Sequence, residues 1–307
     1  MPHRSIDATT WFYDTEYQGH RFLIATGVLE TEAGLLLIDP GPTPVLDTLE
    51  TKLQEDGFSW EDVHAVLLTH IHLDHAGASG SLVERAPHVQ VAVHERGARH
   101  MVNPERLLRS ARRIYGDRME ALWGAFLPVP EANVQVLSGD ETLTFGTRTL
   151  DVAYTPGHAQ HHVSYFDEAS GTAFVGDVGG MRVTGANYVL PVMPPPDVDL
   201  VAWKESVDRV RAWSPARLFL THFGPHNDVK PHLEQMDARV DAFAQSVRAM
   251  LDATDDEDDE RLAQRFAAQE LDRMQAATDE RFWTAYEQFG QPRDSWYGLA
   301  RYWRKQS

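Results

Sequence analysis

Residues 1–228 read as an α/β domain and residues 229–307 as a helical appendage, on three observations. Short apolar runs punctuated by Gly and Pro fill the first two-thirds of the 307-residue chain. Helical patterns separate several of these runs. From about residue 229 the strand signal stops, and only helical periodicity remains.

Taken in order, strands are expected over 21–30 (RFLIATGVLE), 34–39 (GLLLID), 65–70 (AVLLTH), 89–93 (VQVAV) and 134–137 (VQVL). Further strands are expected over 148–154, 162–166, 172–177 and 217–222. TPVLDTLETKLQEDG places apolar residues at 45, 46, 49 and 53 and ends at Gly57, a helix with its C-terminal stop. A second helix is expected over 196–215. In the appendage, HLEQMDARVDAFAQSVRAML, ERLAQRFAAQELDRMQAA and DERFWTAYEQF read as three helices. The run DATDDEDDE between the first two is too charged to bury and reads as a solvated link.

The chain is 42% hydrophobic, enough for a large core, and contains no cysteine. Disulfides and thiolate chemistry are therefore excluded, and any bound metal must be held by imidazole and carboxylate. A net charge of −18 argues against nucleic acid or an anionic membrane as partner. No apolar stretch approaches the ~18 residues of a membrane span, and the N-terminus lacks a signal-peptide core. The expectation is a cytoplasmic protein acting on a small molecule.

THIHLDHAG, residues 69–77, places His70, His72, Asp74 and His75 within six positions where an apolar strand stops. Burying these groups costs several kcal/mol unless each finds a partner. An extended strand end puts His70 and His72 on one side, so both imidazoles reach one ion. Asp74 and His75 follow the turn and reach a second. Three more strands end in ligand-type residues: His158, Asp177 and His222. Seven nitrogen and oxygen donors suit two divalent metals about 3.5–4 Å apart.

HIHLDH, followed by TPGH, GD and a late TH, resembles the metallo-β-lactamase-fold hydrolase superfamily over residues 20–225. The resemblance implies an αββα sandwich. By position, it assigns His70, His72 and His158 to one metal, Asp74, His75 and His222 to the other, and Asp177 to the bridge. It further implies zinc, with iron, manganese or cobalt as alternatives, and Asp74 as proton shuttle. Asp39, closing GLLLIDPG, is expected to orient a ligand imidazole. His94, His161, His162 and His226 are expected to be structural.

Within that superfamily the substrate expected here is a small, fairly apolar ester, a lactone first. A glyoxalase II-like thioester, a phosphoester and the chemistry of a mononuclear-iron persulfide dioxygenase are the alternatives. Lactonases of the family carry a tyrosine three residues after the bridging Asp, where this chain has Gly180; Tyr188 is the candidate replacement. Glyoxalase II-like enzymes carry an Arg-Phe-Phe-Glu-Gly segment there, where this chain reads GDVGGMRV. Met181, Tyr188 and Met193, with Trp11, Phe12 and Tyr13, are expected to wall an apolar substrate pocket. The aromatic tail (Trp283, Trp296, Tyr297, Tyr302 and Trp303) is expected to dock on the α/β domain or on a second subunit.

Overall fold

The computed structural model describes residues 4–183, 186–253, 258–280, 283, 285–286 and 291–306. Two sheets pack face to face. The first has seven strands in sequence order: β1 (Arg4–Ser5), β2 (Thr10–Asp14), β3 (Ala25–Thr31), β4 (Gly34–Ile38), β5 (Val63–Leu67), β6 (Gln90–His94) and β7 (Val134–Leu137). It is antiparallel up to β4 and parallel from there on. The second has six, β8 (Thr142–Phe145), β9 (Arg148–Tyr154), β10 (Val163–Asp167), β11 (Thr172–Phe174), β12 (Arg217–Leu220) and β13 (Gly224–His226), in the order β13-β12-β11-β10-β9-β8.

Period-two alternation divides the core. Leu36 and Ile38 of β4 pack inward with Phe174 and Phe219 of the second sheet, whose rings lie 5.2 Å apart. Leu35 and Leu37 join the outer core with Leu46, Leu49 and Leu53 of helix α1 (Leu46–Glu55). Each of those buried leucines contributes roughly 1.5–3 kcal/mol. On the other face lies a helix spanning Leu200–Ala212, capped by Asp199, whose carboxylate accepts the Val201 and Ala202 N–H groups at 3.1 Å. Its Trp203 is fully buried and donates to the Val178 carbonyl at 3.0 Å.

Several elements differ from the sequence expectation. Strand β2 was not expected, because TWFYD is buried on both faces and shows no alternation. Residues 21–24 are not strand; β3 begins at Ala25, after Phe22 with φ of +67°. β5 ends at Leu67, three residues before His70. The long connection between β6 and β7 holds three unexpected helices, which with the earlier α2 (Leu73–Ala76) and α3 (Ser79–Arg85) become α4 (Glu95–Val102), α5 (Glu105–Tyr115) and α6 (Met119–Trp123). The Leu200–Ala212 helix is then α7.

The C-terminal region supplies α8 (Val229–Asp252), α9 (Asp259–Ala276) and α10 (Pro292–Arg304). Of the link expected over 252–260, residues 254–257 lie outside the described residues, while Asp252 ends α8 and Asp259 and Glu260 open α9; the helix expected over 279–289 falls largely outside the described residues. α8, α9 and α10 meet through Phe243, Phe266 and Trp296, with successive ring centroids 5.2 and 6.2 Å apart. Their core is continuous with that of the α/β layers. Trp296 is fully buried and Trp303 donates to the Ala244 carbonyl at 2.9 Å, so these aromatics pack within the chain.

Candidate metal centre

Five strand ends deliver the polar side chains to one edge of the sandwich. Asp39 follows β4, and His70 and His72 lie in the loop after β5. His72 is the N-cap of α2, so Asp74 and His75 stand in the first turn of that helix. His158 follows β9, Asp177 sits in a 3-10 turn after β11, and His222 follows β12.

There the side chains converge as two groups. His70 Nε2, His72 Nδ1 and His158 Nε2 are 2.9–3.2 Å from one another. His75 Nε2 lies 3.2 Å from His222 Nε2, and Asp74 Oδ2 lies 3.4 Å from His222 Nε2. Asp177 stands between the groups: Oδ2 is 3.3 Å from His158 Nε2, and Oδ1 is 3.2 Å from His75 Nε2. His72 presents Nδ1 and the other imidazoles present Nε2, which strand alternation alone does not indicate.

The far ring nitrogens are fixed. His158 Nδ1 donates to the Val192 carbonyl at 2.6 Å, His222 Nδ1 to the Leu23 carbonyl at 2.8 Å, and His75 Nδ1 to Asp39 Oδ2 at 2.8 Å. Asp39, fully buried, also accepts the Thr69 N–H at 2.8 Å and the Thr69 and Thr221 hydroxyls at 2.7 and 2.8 Å. The Thr69 hydroxyl has one proton, which goes to Asp39. It therefore accepts at 3.1 Å from His70 Nδ1. One buried carboxylate thus orients the His75 ring directly and the His70 ring through Thr69, and turns both Nε2 atoms to the centre.

Electrostatics fits a cation here. Burial, and then repulsion among the imidazoles, holds His70 well below its ordinary value and lowers His72 to about 3. His158 is lowered by burial. Neutral imidazoles carry the lone pairs that a metal binds. Burial pushes the Asp177 carboxyl up, but His75, His158 and His222 outweigh it and hold Asp177 well below the carboxylate range. Its Oδ1 is buried without a hydrogen-bond donor. Three nitrogens this close have no room for a proton apiece, and the orphaned Asp177 Oδ1 faces the second group, 3.2 Å from His75 Nε2 and 3.5 Å from His222 Nε2. The donor groups His70/His72/His158, His70/His75/Asp177 and Asp74/His75/His222 could each hold an ion.

Residues 21–222 match the model of the metallo-beta-lactamase superfamily. The chain belongs to that superfamily. A metallo-beta-lactamase fold-containing protein of Sulfurisphaera tokodaii is 28% identical over 176 residues, 56% of this chain and 65% of that protein. A hydroxyacylglutathione hydrolase of Aeromonas salmonicida is 29% identical over 152 residues, 49% of this chain and 44% of the enzyme. The chain thus spans between two-fifths and two-thirds of the length of these curated relatives. A metallo-beta-lactamase family protein of Thermus thermophilus superposes with a TM-score of 0.64 at 23% identity, covering 92% of this chain and 89% of that one. This last likeness is one of fold. It shows two sheets clad in helices, as the sequence resemblance implied.

The superfamily edge opens into a cavity of about 930 Å³ whose floor includes His72, Asp74, His158 and Asp177. Met181 and Met193 line it, but Tyr188 lies outside. The Tyr188 ring is fully buried beneath the Arg239 guanidinium, 4.0 Å from its centroid, and its hydroxyl donates to Glu270 at 3.4 Å. Its place is structural, tying the 186–193 loop to α8 and α9. Trp11, Phe12 and Tyr13 are also remote: Trp11 stacks on Phe58, Phe12 lies between the sheets and the Tyr13 hydroxyl donates to Asp56. Their strand, β2, consumes them in packing.

Of the further histidines, His94 stacks on Tyr154 at 4.4 Å and His226 Nε2 donates to the Arg182 carbonyl at 3.0 Å. His162 bonds the Thr155 hydroxyl at 2.9 Å. His161 differs, because it lines the cavity with its ring centroid 5.5 Å from that of His72. The walls that sequence reasoning missed come from α4–α6, including Arg99, Arg106, Tyr115 and Arg118. Their one signal was an arginine-rich stretch in an otherwise acidic chain.

Proposed function

We propose that the chain is a dinuclear metal-dependent hydrolase that cleaves an acyl bond in a small molecule, with a thioester ahead of a lactone. The observation that carries the reading is Asp177, one buried carboxylate with an oxygen toward each of two three-donor groups. Such a pair of sites would hold an attacking water oxygen beside a polarised carbonyl. Two divalent cations held there, zinc by the imidazole-rich donor set, supply Lewis acidity and lower the pKa of water.

The chain's own residues do the rest. Asp177 fixes the spacing of the two groups. Asp74, with 17% of its side chain exposed, reaches both the second group and the cavity floor. It is placed to carry a proton from the attacking water to the leaving group. Met181 and Met193 exclude water from one wall.

The order of substrates follows from two observations. Tyr188, nominated for a lactone carbonyl, is buried elsewhere. Several of the relatives are hydroxyacylglutathione hydrolases, and a thioester substrate is consistent with them. The test is proton release, followed with a pH indicator, from lactones, S-acyl glutathiones and phosphotriesters. Metal-loaded wild type is run beside Asp177→Asn. Thioester turnover well above the control is the expected result. Turnover of lactones alone would reverse the order, and silence across the panel would remove the hydrolase reading.

A further inference from the structure

The connection between β6 and β7 is built against the charge of the rest of the chain. Residues 95–118 hold seven arginines against three carboxylates, in a protein of net charge −18. Four of them, Arg96, Arg99, Arg106 and Arg118, line the cavity above the metal centre. Among the described residues, none of the four makes an ion pair. Arg96 donates to Gln160 at 3.2 Å and Arg99 to His100 at 3.3 Å, both neutral acceptors. Elsewhere arginines are matched to carboxylates: Arg85 with Asp47 and Glu50, Arg182 with Asp228, Arg248 with Asp252 and Arg304 with Asp259.

An acidic protein would ordinarily neutralise such a group from its own surplus of carboxylates. Here the four arginines stay unpaired among the described residues, although Asp74, Asp177, Glu95, Asp197 and Asp294 share the lining with them. Asp294 is half-buried; burial pushes its carboxyl up, while Arg293 and Arg118 pull it down. His100 is lowered by burial and then by Arg99 and Arg106, so these cationic groups act on one place.

We infer that the arginine mouth formed by α4, α5 and the turn before α6 binds an anionic group on the substrate, while the scissile carbonyl lies at the metal centre. The inference rests on the hydrolase reading above and extends it to a substrate class: an acyl compound whose leaving group or distal end carries carboxylate or phosphate. Cavity dimensions suit this division. About 930 Å³ holds a molecule the size of a peptide-like or nucleotide-like thiol ester, and the metal donors and the guanidinium groups share its lining. Arginine forks match both carboxylate and phosphate, so the mouth alone does not choose between them.

Three thioesters of one acyl group separate the sources: the N-acetylcysteamine ester is neutral, the glutathione ester carries carboxylates, and the coenzyme A ester carries phosphates. The variant is Arg99→Gln/Arg106→Gln/Arg118→Gln, all at exposed positions. The expected result is that kcat/KM for a charged ester, relative to the neutral one, falls about tenfold, the product of a roughly two- to threefold loss per exposed ion pair. In wild type the same ratio should fall as salt rises. Binding of S-methylglutathione and desulfo-coenzyme A to the metal-loaded protein, by calorimetry, gives a readout independent of turnover. Weaker binding of either probe to the variant supports the mouth, and the tighter of the two names the anion. Equal binding to both proteins, with salt-independent ratios, overturns it even if all three esters are cleaved. Loss of turnover with retained arginine-dependent binding would instead overturn the hydrolase reading alone.

Discussion

Asp39 links the two donor groups, accepting from His75 in one and, through Thr69, orienting His70 in the other. Asparagine there keeps the shape but turns one acceptor into a donor facing donors. Asp39→Asn should weaken metal affinity roughly 10- to 100-fold, read by competition with a chromophoric chelator. Unchanged affinity would reduce Asp39 to a turn residue. Asp74→Asn should lower kcat more than it raises KM, because Asp74 is assigned to proton transfer; the reverse split would remove that role. His226 and His232 donate to the Arg182 and Gly179 carbonyls. Burial lowers His226 to about 4 and His232 to about 3. Both therefore favour the folded state fully above the unfolded value of about 6.5 and lose that contribution as pH falls toward their folded values. The Tm of His226→Gln/His232→Gln should fall less steeply than that of wild type between pH 7 and pH 4.5. Identical slopes would contradict this.

Which elements were legible depended on how each one is buried. β4, β7 and β9 coincide with their expected positions because apolar runs bounded by turn residues are a strand signal that packing does not override. The convergence of HIHLDH with the later His and Asp residues was legible because ligand-type residues this dense are costly to bury singly. β2 was not, since burial on both faces erases its period. Nor were α4–α6, since α5 fully buries only Ala111 and shows no wide apolar stripe. Of the missed elements, α4–α6 form walls of the cavity, so the cavity was less legible than the donor cluster beneath it. α10 offers the clearest test at this scale. A Cβ on Gly298 would stand 2.0 Å from the Met193 carbonyl oxygen, next to Val192, whose carbonyl holds His158. Alanine normally strengthens a helix by up to ~1 kcal/mol over glycine, but displacing backbone costs roughly 1–3 kcal/mol. Gly298→Ala should therefore lower both Tm and metal occupancy at the His158 group. A stabilised variant with full occupancy would show that α10 does not brace the loop.

Across the whole molecule, two sheets and a shared C-terminal core hold an edge where seven ligand-type side chains meet. Among the described residues no helix is long and apolar enough to cross a membrane. Ions bound to the folded state alone stabilise it by mass action, about 4 kcal/mol at a thousandfold excess over Kd. Stripping them with chelator should lower Tm on the order of 10 °C for a chain of this size, and zinc should restore it. No change on stripping would place the ions outside the folding equilibrium.

If Asp177 joins two ion sites, the number of ions bound per chain depends on it. Native mass spectrometry on zinc-reconstituted wild type should show two ions per chain, and Asp177→Asn should lose at least one of them under the same zinc activity. Saturation of the wild type at a single ion, or two ions bound as tightly without Asp177, would contradict it.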